Sequence, residues 1–172
     1  MKNALVLSLG LTVLAACDET PTTVSARDRA GPSLQVGGEA GPRANGHGNL
    51  PVGDGDLRTF SFHARRKKDG TVEGTVELNN RALDTRIHAG IDCLRFISPN
   101  RAIMSGLITH STNPVFVVGT HGFFIVTDNG EGAGDPEDTI SNYFAPVRPQ
   151  GCEIPFNLVE RPIEGGNIQL RP

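Results

Sequence analysis

The chain has 172 residues, with 16 Lys and Arg against 19 Asp and Glu and a formal net charge of −3. This mildly acidic balance argues against a nucleic-acid binder, which presents a strongly basic face. Its length suits one domain plus a tether, and 21 Gly and 12 Pro with no Trp and one Tyr point to turns and short strands.

The first stretch is a leader. Lys2 supplies a positive start, and Ala4 to Ala16 is apolar except for Ser8 and Thr12. That run is shorter than the roughly 20 residues a spanning helix needs, and it fits a secretory signal. Leu14-Ala15-Ala16-Cys17 resembles the bacterial lipobox, which predicts cleavage before Cys17 and acylation of its thiol. Residues 1–16 are then absent from the mature protein, and the acyl chains hold it on a membrane at roughly 0.8 kcal/mol per buried CH₂. The expected location is the cell envelope, lipid-anchored, on a periplasmic or extracellular face. Residues 17–45 form the acylated cysteine and its tether. Only Val24, Leu34 and Val36 are large and apolar there, too few to offset chain entropy, so the segment reads as disordered.

Residues 46–172 read as a β domain. Gly46 to Pro51 is expected as a short edge strand or lead-in. In Arg58 to Arg65, Phe60, Phe62 and Ala64 share one face and Thr59, Ser61, His63 and Arg65 the other. Asp69-Gly70 turns the chain, and Val72, Gly74, Val76 and Leu78 alternate with Thr71, Glu73, Thr75 and Glu77. The basic run Arg65 to Lys68 reads as a solvated hairpin end. Thr85 to Ile97 is extended, with a face change that predicts a bulge near Cys93. Ala102 to Thr109 is apolar on both faces and predicts a central, covered strand. Val115 to Val118 and Phe123 to Val126 predict two strands or one bent strand. Asp138 to Phe144 predicts another, Leu158 to Ile163 a loop broken by Pro162, and Gly165 to Leu170 a closing strand. The expected fold is all-β: an antiparallel β-sandwich or partly closed barrel of about seven to nine strands.

With Cys17 assigned to the lipid, Cys93 and Cys152 are left, and in an exported chain they read as a disulfide. Between Thr127 and Asp138 lies an acidic, glycine-rich loop with carboxylates at Asp128, Glu131, Asp135, Glu137 and Asp138 and an amide at Asn129. Hard oxygens on a flexible loop are what Ca²⁺ requires. Asp128, Asn129, Glu131, Asp135 and Asp138 are therefore candidate Ca²⁺ ligands, against the alternative of a solvated acidic turn, since the EF-hand register is absent. His63, His88 and His121 would meet at a zinc site only if their strands were neighbours. No nucleophile elbow, phosphate loop or singled-out carboxylate pair marks an enzyme.

Several stretches resemble a group of bacterial exported β domains that recur as post-COAP-like repeats and as small secreted or lipoprotein forms. They are Phe60 to Arg65, Asp69 to Gly74, Val126 to Gly132 with its Asp-Asn-Gly-Glu-Gly signature, Asp138 to Ile140 and Gly165 to Leu170. The resemblance covers about residues 46–171. It implies a β fold and an exported location, and similar proteins tend to carry a cysteine where Cys93 stands. It carries over no catalytic residue.

These features predict a membrane-anchored envelope lipoprotein whose non-catalytic β domain serves binding or structure, with Ca²⁺ as its one candidate cofactor. The expected partners are the membrane, reached through the N-terminal lipid, and a protein, glycan or small apolar ligand. The alternative is a small barrel carrying an apolar ligand, for which a cavity lined by Phe60, Phe62, Phe123 and Phe124 would speak. An envelope hydrolase comes third, and would need His63 or His121 beside a carboxylate and a hydroxyl.

Overall fold

A computed structural model describes residues 41–51, 57–143, 151–153 and 158–172. The lipobox with Cys17, and tether residues 18–40, lie outside the described residues. Nine strands follow in order: β1 (Arg43–Pro51), β2 (Leu57–Arg66), β3 (Val72–Asn80), β4 (Thr85–Ser98), β5 (Arg101–Ser111), β6 (His121–Thr127), β7 (Thr139–Ser141), β8 (Glu160–Pro162) and β9 (Glu164–Arg171). They form one antiparallel sheet in the order β8-β7-β6-β5-β4-β3-β2-β1-β9. Its two outermost strands, β8 and β9, are separated in the chain by Ile163 alone. A sheet whose edges are one residue apart must curl onto itself, and the result is a nearly closed barrel.

Closure changes several expectations. β1 is no edge strand or lead-in: it begins at Arg43 and lies between β2 and β9. Its inward row, Ala44, Gly46, Gly48 and Leu50, is small because β2's aromatic rings lean over it. A Cβ at Gly46 would stand 2.5 Å from the Phe62 ring. Val115 to Val118 is not a strand. Gly119, at φ +88°, donates its N–H to the Ile108 carbonyl and folds the segment into a tight loop, leaving Val115, Val117 and Val118 exposed. Residues 160–162 pair with β7 where a loop was expected, and Pro162 is tolerated because the strand is an edge. The strand expected over residues 138–144 shortens to Thr139–Ser141.

Other expectations are met. β2 and β3 form the hairpin around Asp69-Gly70, where Arg65 and Lys67 pair with Glu73. The β4–β5 register shifts between Ile91 and Cys93, at the expected bulge. β5 is covered on both faces from Ala102 to Gly106, while Leu107 and Thr109 beyond it are exposed. Ala102, Met104 and Ile108 join the interior with Phe62, Phe124 and Leu94. Ile103 faces outward and packs with Phe123, Ile125, Cys152 and Leu158. The Cys93–Cys152 disulfide, with Cα atoms 5.8 Å apart, pins that outer cover to β4. Arg95 adds a hydrogen bond from Nη2 to the Cys152 carbonyl at 3.0 Å.

The barrel is not zipped by a ladder at its seam, because β9 has no strand partner on the side away from β1 among the described residues. Side chains take over the task. Ile168 N–H donates to Asp138 Oδ2 at 2.7 Å, and Leu170 N–H donates to Asp128 Oδ2 at 2.9 Å. An open edge would otherwise present these donors for pairing with another chain.

Candidate functional site

The inward row of β2 is Arg58, Phe60, Phe62 and Ala64 by strand alternation, so a guanidinium stands where an apolar side chain would be ordinary. Arg58 pairs with Asn80, and Asn80 with Thr85, across neighbouring strands. Asn80 and Thr85 are buried. These positions crown the end of the barrel where β1–β2, β3–β4 and β5–β6 connect. Much of the crown is bonded to itself: Leu83 N–H donates to Asn80 Oδ1 at 3.1 Å, and Asn113 Nδ2 donates to Thr85 Oγ1 at 3.1 Å.

Beneath the crown lies a cavity of about 140 Å³. Its apolar wall includes Leu50, Phe60, Leu78, Ile87, Phe116 and Ile140, and Arg58, Asn142 and Tyr143 also line it. Among the described residues, Arg58 is the one of that lining with a formal charge. Its Nη1 donates to Asn142 Oδ1 at 3.3 Å. Its Nε is buried with no partner, and so is the Tyr143 hydroxyl. The Tyr143 ring fills the space that a side chain at residue 122 would take, since a Cβ on Gly122 would come within 2.2 Å of it. Burial, and secondarily the charge of Asp92, push the Tyr143 phenol well above its ordinary value, so it stays neutral. Leu83 of the lining is exposed, as are Leu57 at the start of β2 and Val115, Val117 and Val118 in the β5–β6 connection, at the same end of the barrel.

Of the four phenylalanines expected around an internal cavity, only Phe60 lines it. Phe62 and Phe124 pack against each other at 5.3 Å between centroids and fill the middle of the barrel. Phe123 faces outward beneath the disulfide cover. Arg58 is a lining residue that only its parity with Phe60 and Phe62 signals in the sequence.

The acidic loop lies at the opposite end, and its oxygens are largely engaged within the chain. Asp128 accepts from Gly130 N–H at 3.1 Å through Oδ1 and from Leu170 through Oδ2. Asp138 accepts from Asn129 N–H at 2.8 Å and from Ile168. Glu131 Oε1 accepts from Asn167 Nδ2 at 3.0 Å and Gln169 Nε2 at 2.6 Å. These two amides, in that order, hold its carboxyl below the usual value. Asp135 accepts from Gly132 N–H at 2.7 Å, and Asn129 Nδ2 donates to the Glu137 carbonyl. Among the described residues, no group of three or more His, Cys, Asp or Glu side chains is gathered as a metal site.

The histidines find separate partners. His63 Nδ1 lies 3.2 Å from Thr75 Oγ1, His88 lies 3.4 Å from Glu77, and His121 Nε2 lies 2.7 Å from Asp92 Oδ2. His121 thus has a carboxylate beside it. The nearest serine along the ladder, Ser105, has a buried hydroxyl with no partner. No family model, curated protein or solved structure matches this chain.

Proposed function

We propose that this chain is an envelope lipoprotein, anchored through an acylated Cys17, whose barrel binds a small, largely apolar molecule without transforming it. The observation that carries the ligand reading is the end cavity. It is concave, walled by aliphatic and aromatic side chains and furnished with few polar groups, the general character of a small-molecule site. The lipobox supports the anchor, and the Cys93–Cys152 disulfide is in keeping with an oxidising compartment outside the cytosol. The resemblance to bacterial exported β domains supports the same location.

Two experiments test the two halves. Radiolabelled palmitate incorporated by the full chain, and lost in Cys17→Ser, supports the anchor, whereas equal labelling of both forms removes it. For the cavity, the full chain bearing Cys17→Ser is titrated with benzyl alcohol and followed by NMR, so that no acyl chain competes. Shifts at Tyr143 that vanish in the cavity-filling variant Leu78→Phe support binding there. The filled middle of the barrel, where Phe62 meets Phe124, favours a second reading in which the domain is a structural module. No shift at any cavity residue is that reading's expected result.

A further inference from the structure

The cavity has a charge requirement of its own. We propose that it selects a small monocarboxylate, with an apolar body of about benzene size in the cavity and its carboxylate on the Arg58 guanidinium. The inference rests on the cavity being a ligand site and adds the chemical class of the ligand.

Three observations carry it. Arg58 occupies the inward row of β2, yet among the described residues no ion pair engages it and no carboxylate lines the cavity. Its Nε is buried without a partner, and among the described residues Nη1 has the long 3.3 Å bond to Asn142. Arg58 is half-buried, but a buried donor left unfilled is costly, and an anion placed beside Nε removes that cost. A guanidinium presents its N–H groups as a planar fork that a carboxylate meets with two parallel bonds. The volume sets the body: about 140 Å³ is close to the roughly 150 Å³ of an engineered apolar cavity that takes benzene. A hydrocarbon of that size would fill the wall and leave Nε unsatisfied, and a neutral alcohol could accept one bond but offers neither the charge nor the second oxygen.

The test compares benzoate, benzyl alcohol and benzylamine by NMR titration of the full chain bearing Cys17→Ser. Benzoate is expected to bind at least tenfold more tightly than benzyl alcohol, with benzylamine the weakest. Arg58→Gln is expected to bring benzoate and benzyl alcohol within about twofold of each other. Arg58→Lys, which keeps the charge and loses the fork, should retain part of the preference. If the unmodified cavity binds benzoate and benzyl alcohol equally, the head-group inference is overturned while the cavity reading stands. If neither binds, both fall. The wild-type comparison decides even where an Arg58 variant does not fold.

Discussion

Asp138 accepts the backbone N–H of Ile168 at 2.7 Å across 30 residues of chain. One carboxylate oxygen thereby does for β9 what a neighbouring strand would do. Its other oxygen holds Asn129 N–H at 2.8 Å, which fixes the loop that delivers it. Asp138→Asn keeps one acceptor and turns an amide NH₂ toward the second donor. An unsatisfied buried donor costs about 1–3 kcal/mol, so Asp138→Asn should lower unfolding free energy by about 2 kcal/mol and Asp138→Ala by about twice that. Urea denaturation measures both. An unchanged midpoint for Asp138→Ala would mean that the seam contributes nothing.

The same seam predicts behaviour in acid. The Glu131 carboxyl is held below its ordinary value by Asn167 and then Gln169. Glu73 is lowered by Lys67 and then Arg65, and Asp69 by the Thr71 hydroxyl and N–H. A carboxyl depressed by folding stabilises fully above its unfolded value and loses that contribution as pH falls through the folded value. The melting temperature should therefore be level from neutrality to about pH 5 with respect to these groups, and fall below that. All three are exposed, so each effect is small. Glu131→Gln should differ from wild type at pH 7 and converge with it near pH 3. A gap that persists at pH 3 would contradict the assignment.

Calcium is the next test of the loop. A cation there would have to displace the backbone donors that Asp128 and Asp138 hold, and those donors belong to the seam. The expected outcome is the same melting temperature in EDTA and in millimolar Ca²⁺. A site at 100 times its dissociation constant would instead add about 2.7 kcal/mol and raise the midpoint by several degrees.

Much of the barrel was legible because alternation is a local signal. The β2–β3 hairpin, the bulge near Cys93 and the doubly covered β5 could each be read from the faces of one strand. The choice of a nearly closed barrel over a sandwich was not, because it depends on β1, at the start of the domain, pairing with β9 at its end, a relation between distant residues. Val115 to Val118 misled for a related reason: an apolar run says that residues avoid water in isolation, while Gly119 and the Ile108 carbonyl decide the path. The acidic loop was conspicuous in sequence, but its engagement was hidden, since Asp128 and Asp138 reach partners 42 and 30 residues away. At the cavity, the parity of Arg58 was visible and its lack of a partner was not.

Glycine positions on adjacent strands give a sharp contrast. A Cβ at Gly106 would stand 2.1 Å from the Gly90 carbonyl oxygen, a backbone atom that cannot swing aside, whereas a Cβ at Gly90 meets nothing within 4 Å. Gly106→Ala should cost about 3 kcal/mol. Gly90→Ala should stay within about 1 kcal/mol of wild type, because its methyl meets no atom and the stiffer unfolded chain favours folding. Thermal melts of the two variants separate the effects, and equal losses would place the strain elsewhere.

The disulfide should matter for the outer face more than for the barrel interior. Cys93 and Cys152 lie 59 residues apart in the chain, and a cross-link of that span stabilises by about 4 kcal/mol in the chain-entropy model. Cys152 and Leu158 cover Ile103, Phe123 and Ile125, which lie on the side of the sheet away from Phe62 and Phe124. In the double variant Cys93→Ala/Cys152→Ala, the Arg95 bond to the Cys152 backbone carbonyl can still form, but no covalent link returns the segment after it lifts. Exposure of those three side chains should raise binding of an environment-sensitive dye and open the chain around Cys152 to limited proteolysis. The β2–β3 hairpin should keep its hydrogen-exchange protection, because its ladder does not pass through the cover. If protection falls equally in β2, β3 and β5, the outer cover and the barrel unfold as one unit, and the two apolar clusters are one cooperative core despite lying on opposite faces of the sheet.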